Sequence, residues 1–424
     1  MKVFFETYGC AHNQADTERM KDYVTTTNKI EDADKIIINT CAVKDRTVKN
    51  LRQRINFLKR TFPNKEIILT GCLTQAESLN DFKELPILKD HKLFGTNTIN
   101  NIDEVIESKE NIKLINLKKQ NPGISEAKNI VKTIPISTGC LNSCTYCQTK
   151  LARGVLKSYS IDYIKDKIIN SNPEIIYLTS QDNACYGYDL NQNLPNLLKE
   201  ILALDKDFKL RIGMANPKYL KDYFDELLEV MDDPRIFKFL HIPIQSGSNK
   251  VLEHMGRENT AEEFIDLVNK ARSKFPDITI ATDIIVAYPS ETEEDFQDTL
   301  DLLKTTKPDV INRSNYSPRP KTEAAKLKQI DKEIVKERSK QLKELVETIS
   351  LKKNNLLLNK EFEVIVDAKK QNNSVMARNE SYKPIILKSD YDLGEKLRVK
   401  IIKANTYYLE GEVYSLPSRI SITL

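Results

Sequence analysis

Three apolar runs near the start of the chain each stop on a cysteine, and the stops fall 31 residues apart: residues 2–9 lead to Cys10, 35–40 to Cys41 and 66–71 to Cys72. Each run is β-branched and apolar, which marks a buried strand, and a helix-like segment follows it. Strand–helix alternation requires a parallel sheet. In such a sheet every strand's carboxyl end lies on one edge, where ligands bind, so the three thiols are expected to meet in one crevice. The plainer alternative is three structural cysteines, since buried Cys is common. It accounts for one such position more readily than for three in successive units.

A second trio stands at Cys140, Cys144 and Cys147, spaced C-x3-C-x2-C in a loop of Gly, Asn and Ser that follows the strand-like run 130–136. Thiolates are soft ligands for iron–sulfur clusters, zinc or Cu(I). An ordinary [4Fe–4S] cluster takes four cysteines. This loop supplies three and leaves one iron open, as a catalytic metal keeps a position for substrate. Zinc or a redox pair is the alternative, but zinc loops favour paired C-x2-C units or histidines, and no histidine lies between His91 and His241. The chain starts without a signal-peptide pattern, and no run reaches the roughly 18 apolar residues of a membrane span. The expected location is cytoplasmic, where cysteines serve metals or catalysis rather than disulfides. Cys185, the seventh, is expected to be a free thiol, and His12, which could also be a ligand, a loop histidine with an ordinary hydrogen bond.

With 424 residues, 40% of them hydrophobic, the chain has material for two to four domains of roughly 100–200 residues each. The expected division is an α/β domain over 1–112, a polar linker over 113–129 and a central domain with a trailing helix over 130–357. A β domain over 358–424 completes it. The central part shows six strand-like runs at 130–137, 174–180, 209–215, 239–245, 278–286 and 310–316, with helix-like segments between them. Six β/α units make a partial barrel, open on one side, whose chemistry sits at the carboxyl ends of the strands. Polar residues gather there: Ser180 to Asn183, Asn216, Gln245 to Asn249, Asp283, Tyr288 to Thr292, and Asn312 to Pro320. Residues 328–358 read as a long charged helix anchored by Ile334, Leu342, Leu345 and Ile349. Beyond it, five short alternating strands suggest a small, partly open β-barrel of a nucleic-acid-binding kind. The net charge is only +4 overall and +2 over 359–424, so any basic surface must be local. One candidate is the helix after Cys41. Its apolar stripe is Val48, Leu51, Ile55, Leu58 and Phe62, and its other faces carry Lys44, Arg46, Lys49, Arg52, Arg54, Lys59 and Arg60 against Asp45, a net +6. A solvated face and a phosphate-binding face are equally good readings of it.

The C-x3-C-x2-C loop followed by Ala152-Arg153-Gly154 resembles the radical S-adenosylmethionine (SAM) enzymes. Tyr8-Gly9-Cys10 and Asn39-Thr40-Cys41 resemble the N-terminal domain of the methylthiotransferases, in their archaeal and eukaryotic branch. His241 to Asn249, Met255-Gly256-Arg257, Ser180-Gln181-Asp182 and Ser317 to Pro320 are also typical of that family. The resemblance covers essentially the whole chain. It implies an N-terminal doubly wound parallel sheet, a partial (β/α)6 radical-SAM barrel and a C-terminal TRAM β-barrel. It also implies two [4Fe–4S] clusters, on Cys140, Cys144 and Cys147 and on Cys10, Cys41 and Cys72. SAM needs partners for an adenine, a ribose and an amino-acid end, and Gln181, Asp182, Gln245, Ser246, Asp283 and Arg153 are the candidates. The implied reaction converts N6-threonylcarbamoyladenosine at position 37 of tRNA, beside the anticodon, to its 2-methylthio derivative. The implied partners are the tRNA anticodon loop, an electron donor such as a ferredoxin or flavodoxin, and a sulfur source, with no membrane. Arg378, Tyr382, Lys383 and Tyr407 are candidate RNA contacts in the TRAM region, ordinary surface or core roles being as good for each. The chain departs from the family at Ala287-Tyr288-Pro289-Ser290, where glycines are usual at the first and last places. The alternatives are methylthiolation of isopentenyladenosine or of a ribosomal protein, and an RNA-binding protein with structural clusters.

Overall fold

In the computed structural model, residues 1–41, 45–78, 81, 83, 85–108, 113–114 and 123–415 are described. The first unit runs β1 (Val3–Thr7), α1 (Ala11–Lys21), β2 (Lys35–Thr40), α2 (Asp45–Thr61), β3 (Glu66–Gly71), α3 (Cys72–Ser78), β4 (Lys92–Phe94), α4 (Ile102–Glu107) and β5 (Lys113–Leu114). Among the described residues these strands form one parallel sheet in chain order. Residues 25–27 add a rung outside β1: Val3 N–H donates to Thr25 O at 2.9 Å, and Thr27 N–H to Val3 O at 3.0 Å. The chain thus leaves β1 toward one edge and returns to β2 on the other side. That reversal makes the sheet doubly wound and opens a crevice at the carboxyl ends of β1 and β2. Ile36, Ile38, Ile67 and Leu69 pack with Leu51, Ile55 and Leu58 of α2, while Ile37 and Ile68 pack on the other face with Met20 of α1 and Ile102, Val105 and Ile106 of α4. Strands covered on both faces read as continuous apolar runs, which is why these three were plain in the sequence. The expected linker starts too early, because β5 at 113–114 pairs with β4.

The second unit runs β6 (Val131–Pro135), β7 (Ser137–Thr138), α5 (Thr149–Arg153), β8 (Lys157–Ser158), α6 (Ile161–Ser171), β9 (Ile175–Thr179), α7 (Leu194–Leu202), β10 (Lys209–Arg211), α8 (Pro217–Leu220), α9 (Phe224–Val230), β11 (Phe239–His241), α10 (Asn249–His254), α11 (Ala261–Lys274), β12 (Thr279–Val286), α12 (Glu293–Thr306), β13 (Val310–Asn315) and α13 (Lys332–Asn355). Strands β6, β9 and β10 form one parallel ribbon, and β11, β12 and β13 another. A parallel bridge between Leu210 and Ile236, and Ala215 N–H donating to His241 O at 2.9 Å, join them into the partial barrel. The six expected strands are present, but β10 and β11 are shorter than expected because their last residues leave the ladder to build rim loops. Side chains alternate. Ile176, Leu178, Leu210, Leu240, Ile280 and Ile284 face the helices, so their neighbours in sequence face the lumen. Helix α13 buries Leu342, Val346 and Ile349. Ile334, expected as an anchor, is 44% exposed, because it lies one position off that stripe and Val335 takes the inward place.

The third unit, β14 (Glu361–Lys370), β15 (Ser374–Arg378), β16 (Pro384–Leu387), β17 (Lys396–Ala404) and β18 (Leu409–Ser415), is a closed barrel in the order β14-β15-β16-β18-β17. It is not partly open as expected: β16 pairs parallel with β18, and β17 pairs back to β14, which removes the free edges. Tyr382, at φ +58°, projects from the β15–β16 turn into the floor of the partial barrel. There it meets Phe237, Phe239 and Tyr177 at centroid distances of 5.0, 5.1 and 5.9 Å.

Candidate active site

The crevice of the first sheet collects its three thiols. Cys10 caps α1, Cys41 follows β2, and Cys72 opens α3. Asn13 lies between them: its Oδ1 accepts from Cys10 Sγ at 3.7 Å and Cys72 Sγ at 3.6 Å, and its Nδ2 donates to Thr40 O at 2.8 Å. Gly9 is required here. Its φ is +127°, and a Cβ on it would stand 2.8 Å from the Cys41 Cβ. Burial pushes the Cys72 thiol up to about 12. His12 is not a loop residue. It lies in the first turn of α1, buried, with Nδ1 unpartnered, and burial followed by the nearby Arg153 charge pulls it down to about 4.

The second trio lies at the carboxyl end of the partial barrel, in the loop between β7 and α5. Cys140 N–H donates to Gly154 O at 3.1 Å, and Cys147 N–H to Cys144 O at 3.1 Å. Gly139, at φ +78°, lets the loop lie against Val155, whose carbonyl oxygen would be 2.0 Å from an added Cβ. Asn142 Nδ2 donates to Cys140 Sγ at 3.3 Å, Thr149 N–H to Cys147 Sγ at 3.4 Å, and Arg257 Nη1 to Cys144 Sγ at 3.9 Å. Burial, then the Asp182 charge, raises Cys140 to about 11; burial, then Cys144, raises Cys147. None of the seven cysteines forms a disulfide. Among the described residues no three His, Cys, Asp or Glu side chains form a site for a single metal ion. Thiols that serve separate irons of one cluster need not converge on one point, as zinc ligands must. Each trio, with amide or guanidinium donors on its sulfurs, fits an iron–sulfur group.

Helix α5 joins the two sites. It starts two residues after Cys147 and ends on Arg153, whose Nε donates to Cys72 Sγ at 3.2 Å and whose Nη2 donates to Asn13 Oδ1 at 3.3 Å and to Asp16. Thr96 Oγ1 fixes the same helix to the first unit by donating to Ala152 O at 2.7 Å. Burial opposes the Arg153 charge, but Asp16 and the Cys72 sulfur outweigh it and hold the guanidinium charged. Arg153 was expected beside SAM. The structure places it on the first trio instead, because the short helix points its last side chain across the domain boundary.

The other SAM candidates divide. Gln181 Oε1 is buried without a partner beside the equally unpartnered Ser180 Oγ, so both can receive a ligand at the rim. Asp182 is consumed by the fold. Its Oδ1 accepts from Ala184 and Asn216 N–H, both at 3.0 Å, and its Oδ2 from Asn142 Nδ2 at 2.8 Å, which ties the cluster loop to the rim. Ser246 is fully buried, its Oγ 3.3 Å from Thr299 Oγ1, so its side chain is turned into the fold rather than toward the rim. Gln245, at φ +78°, turns the chain four residues past β11 while its N–H donates to Asp283 O at 2.9 Å. Asp283 faces the lumen with His241 Nε2 at 3.0 Å and Asn312 Nδ2 at 2.8 Å. At the departures from the family, Ala287 adopts φ +59°, the conformation its usual glycine would take, and Ser290 Oγ lies 2.7 Å from His254 Nδ1.

Three of the four expected RNA contacts lie at the seam between the two barrels, Lys383 buried and Arg378 and Tyr382 half-buried. Tyr382 plugs the floor. Arg378 stacks on it at 4.2 Å and donates to Asp367 at 2.7 Å, and Lys383 Nζ donates to Asp309 Oδ1 at 2.7 Å. Tyr407 is 62% exposed and open to solvent. On α2, Arg54 is paired with Glu6, while Arg52, Lys59 and Arg60 are exposed. The side chains of Lys44, Arg46, Val48 and Lys49 lie outside the described residues. A cleft of about 350 Å³ that the sequence did not signal is lined by Arg313, Lys332, Lys336, Lys340 and Lys343, where β13 meets α13. Four of its cations come from α13, read in the sequence only as a charged helix, and what the sequence does not show is that Arg313 of β13 lies against them. The roles of Asn13, Asn142 and Arg257 were likewise missed, since each works through tertiary neighbours. Among the described residues no helix is long and apolar enough to cross a membrane.

The patterns of three families match the chain: the Radical SAM superfamily over residues 134–303, Uncharacterized protein family UPF0004 over 2–91, and the TRAM domain over 356–414. The chain is 39% identical over 437 residues to the probable threonylcarbamoyladenosine tRNA methylthiotransferase of Pyrococcus abyssi, covering 98% of this chain and 100% of that one. It is 37% identical over 427 residues to the probable threonylcarbamoyladenosine tRNA methylthiotransferase of Methanocaldococcus jannaschii, covering 97% of both. It is 33% identical over 438 residues to the human threonylcarbamoyladenosine tRNA methylthiotransferase, covering 98% of this chain and 74% of that one.

Proposed function

The chain belongs to the threonylcarbamoyladenosine tRNA methylthiotransferase family, and on that premise we propose how its two thiol trios divide the reaction. It is a radical-SAM enzyme that uses SAM and an iron–sulfur cluster and acts on threonylcarbamoyladenosine in tRNA. Cys140, Cys144 and Cys147 would hold the [4Fe–4S] cluster that serves SAM. Cys10, Cys41 and Cys72 hold a second cluster. When bound, these groups supply the electron that cleaves SAM and the sulfur for an adenine C–H that no side-chain base removes near neutral pH.

The chain's own residues do the rest. Burial raises the Cys72, Cys140 and Cys147 thiols, and a thiol gives up its proton on binding a metal. Arg153, Asn13, Asn142 and Arg257 then donate to sulfur and balance the added negative charge. Gln181 and Ser180 offer unpaired groups to SAM at the rim. The cleft of Arg313, Lys332, Lys336, Lys340 and Lys343, with Arg52, Lys59 and Arg60 of α2, contacts tRNA phosphates. The modified base is position 37 of the anticodon loop, where bases can be splayed out singly, and the product is its 2-methylthio derivative. A low-potential electron donor such as a ferredoxin or flavodoxin, a sulfur source and a second, methyl-donating SAM complete the balance.

The observation that carries this reading is the bridge from Cys147 through α5 to Arg153 on Cys72, which fixes one trio relative to the other. Anaerobic reconstitution tests it. The full chain is expected to hold about eight irons, and a variant with alanine at Cys10, Cys41 and Cys72 about four. That variant should still cleave SAM to 5′-deoxyadenosine but put no methylthio group on tRNA, as nucleoside mass spectrometry would read. Four irons in the full chain, or intact methylthiolation in the variant, would overturn it.

A further inference from the structure

We propose that Arg211 is the receptor for the carboxylate of the substrate's threonylcarbamoyl arm, and that the lumen of the partial barrel is the pocket for that arm. The inference rests on the substrate assigned by the family. Arg211 is the last residue of β10. Its neighbour Leu210 packs under the helices, so alternation turns Arg211 into the lumen. Its guanidinium carbon lies 4.7 Å from the Phe239 ring centroid, 5.1 Å from Tyr382 and 5.9 Å from Tyr177. Those rings hold the planar group in place and leave its donors unused. Nε is buried with no partner, and among the described residues Arg211 has neither a hydrogen bond nor a carboxylate.

That state is exceptional in this molecule. Arg153, Arg338 and Arg378 each meet a carboxylate, at Asp16, Glu291 and Asp367, and the buried Arg257, which has none, donates instead to Asn216 Oδ1 at 3.1 Å and Pro243 O at 2.7 Å. Among the described residues neither carboxylate nearest the lumen pairs with Arg211. Asp367 Oδ2 accepts from Tyr177 Oη at 2.6 Å and Arg378 Nε at 2.7 Å, and Asp283 takes His241 and Asn312. A guanidinium held in a half-buried pocket without a counter-charge is costly, and its fork of N–H groups matches a carboxylate. The position also fits. Five residues further along the chain, Asn216 Nδ2 donates to Asn142 Oδ1 of the cluster loop at 3.0 Å, and five extended residues span at most about 18 Å. Arg211 therefore lies within about 18 Å of the residue that holds the cluster loop. The threonyl carboxylate is the one anionic group that separates this substrate from adenosine or an isopentenyl derivative.

The reconstituted full chain decides between recognition and packing against Tyr382. Anticodon stem-loop RNAs carrying threonylcarbamoyladenosine as the free acid or as its methyl ester are compared by kcat/KM. Wild type should prefer the acid by about 100-fold or more, the cost of leaving a buried charge unpaired. Arg211→Gln should collapse that preference to within a few-fold, and Arg211→Lys should restore part of it. The acid-to-ester ratio is taken within each protein, so a reduced folded fraction does not distort it. An Arg211→Gln ratio equal to that of wild type, or a wild type indifferent to the ester, would overturn the proposal. A wild type that methylthiolates neither RNA, with both clusters loaded, would instead reject the function.

Discussion

Arg153 and Asp16 show what one side-chain pair does for this molecule. Both are almost fully buried, Arg153 comes from the barrel domain, and Asp16 comes from α1 of the first unit. Breaking a buried pair by removing one partner leaves the other charge uncompensated, at about 3–5 kcal/mol. Arg153→Met should therefore lower the unfolding free energy by about 3–5 kcal/mol in denaturant titration, and adding Asp16→Asn should recover part of the loss. A single variant as stable as the parent would mean that the pair does not clamp the domains. The sequence marked Arg153 as part of a motif but not where it goes. Its destination depends on the direction in which α5 leaves the cluster loop. Ser246 shows the opposite failure: it lies in a family-like string at a strand end, yet Thr299 of α12 closes over it.

At the level of elements, the seam between the two barrels is held by a charge cluster as well as by Tyr382. Asp309, just before β13, takes Lys383 from the β15–β16 turn at 2.7 Å and Lys353 from α13 at 2.8 Å. Burial by itself would raise the Asp309 carboxyl, but the two lysines outweigh it and hold it below its ordinary 3.8. A depressed carboxyl contributes stability that is complete above its unfolded value and lost as pH falls through the folded one. The stability gap between wild type and Asp309→Asn should be about 3 kcal/mol near neutral pH. It should stay constant down to about pH 4 and close below that. Chemical denaturation of both proteins across pH 2.5–7 checks it, and a gap independent of pH would refute the assignment. The elements themselves were legible, because period-two alternation in β14–β18 and apolar runs in β2 and β3 are local signals. Closure of the third unit was not, because the parallel β16–β18 pairing joins segments with β17 between them.

The whole molecule presents its basic cleft between β13 and α13, on the barrel's edge strand. If that cleft carries tRNA phosphates, Lys332→Ala and Lys340→Ala should each flatten the slope of log Kd against log salt by about one. The loss of affinity should be the same for modified and unmodified anticodon stem-loops, as backbone contacts read no sequence. Filter binding at several salt concentrations measures both. An unchanged slope in the double variant would move the RNA to another face. The same scale sets the contrast with Arg211: the cleft should govern how tightly any tRNA is held, the lumen which base is accepted.

Local order in the sequence determined the three-part architecture, the six barrel strands and the two cysteine trios, because burial periodicity and strand-end position are written within windows of a few residues. Only the tertiary structure decided which trio Arg153 serves, that Tyr382 is a plug rather than an RNA contact, and that Arg211 stands unpaired. Those outcomes depend on side chains from segments tens to hundreds of residues apart, and it is the packing of whole elements, not any nearby residue, that chooses their neighbours.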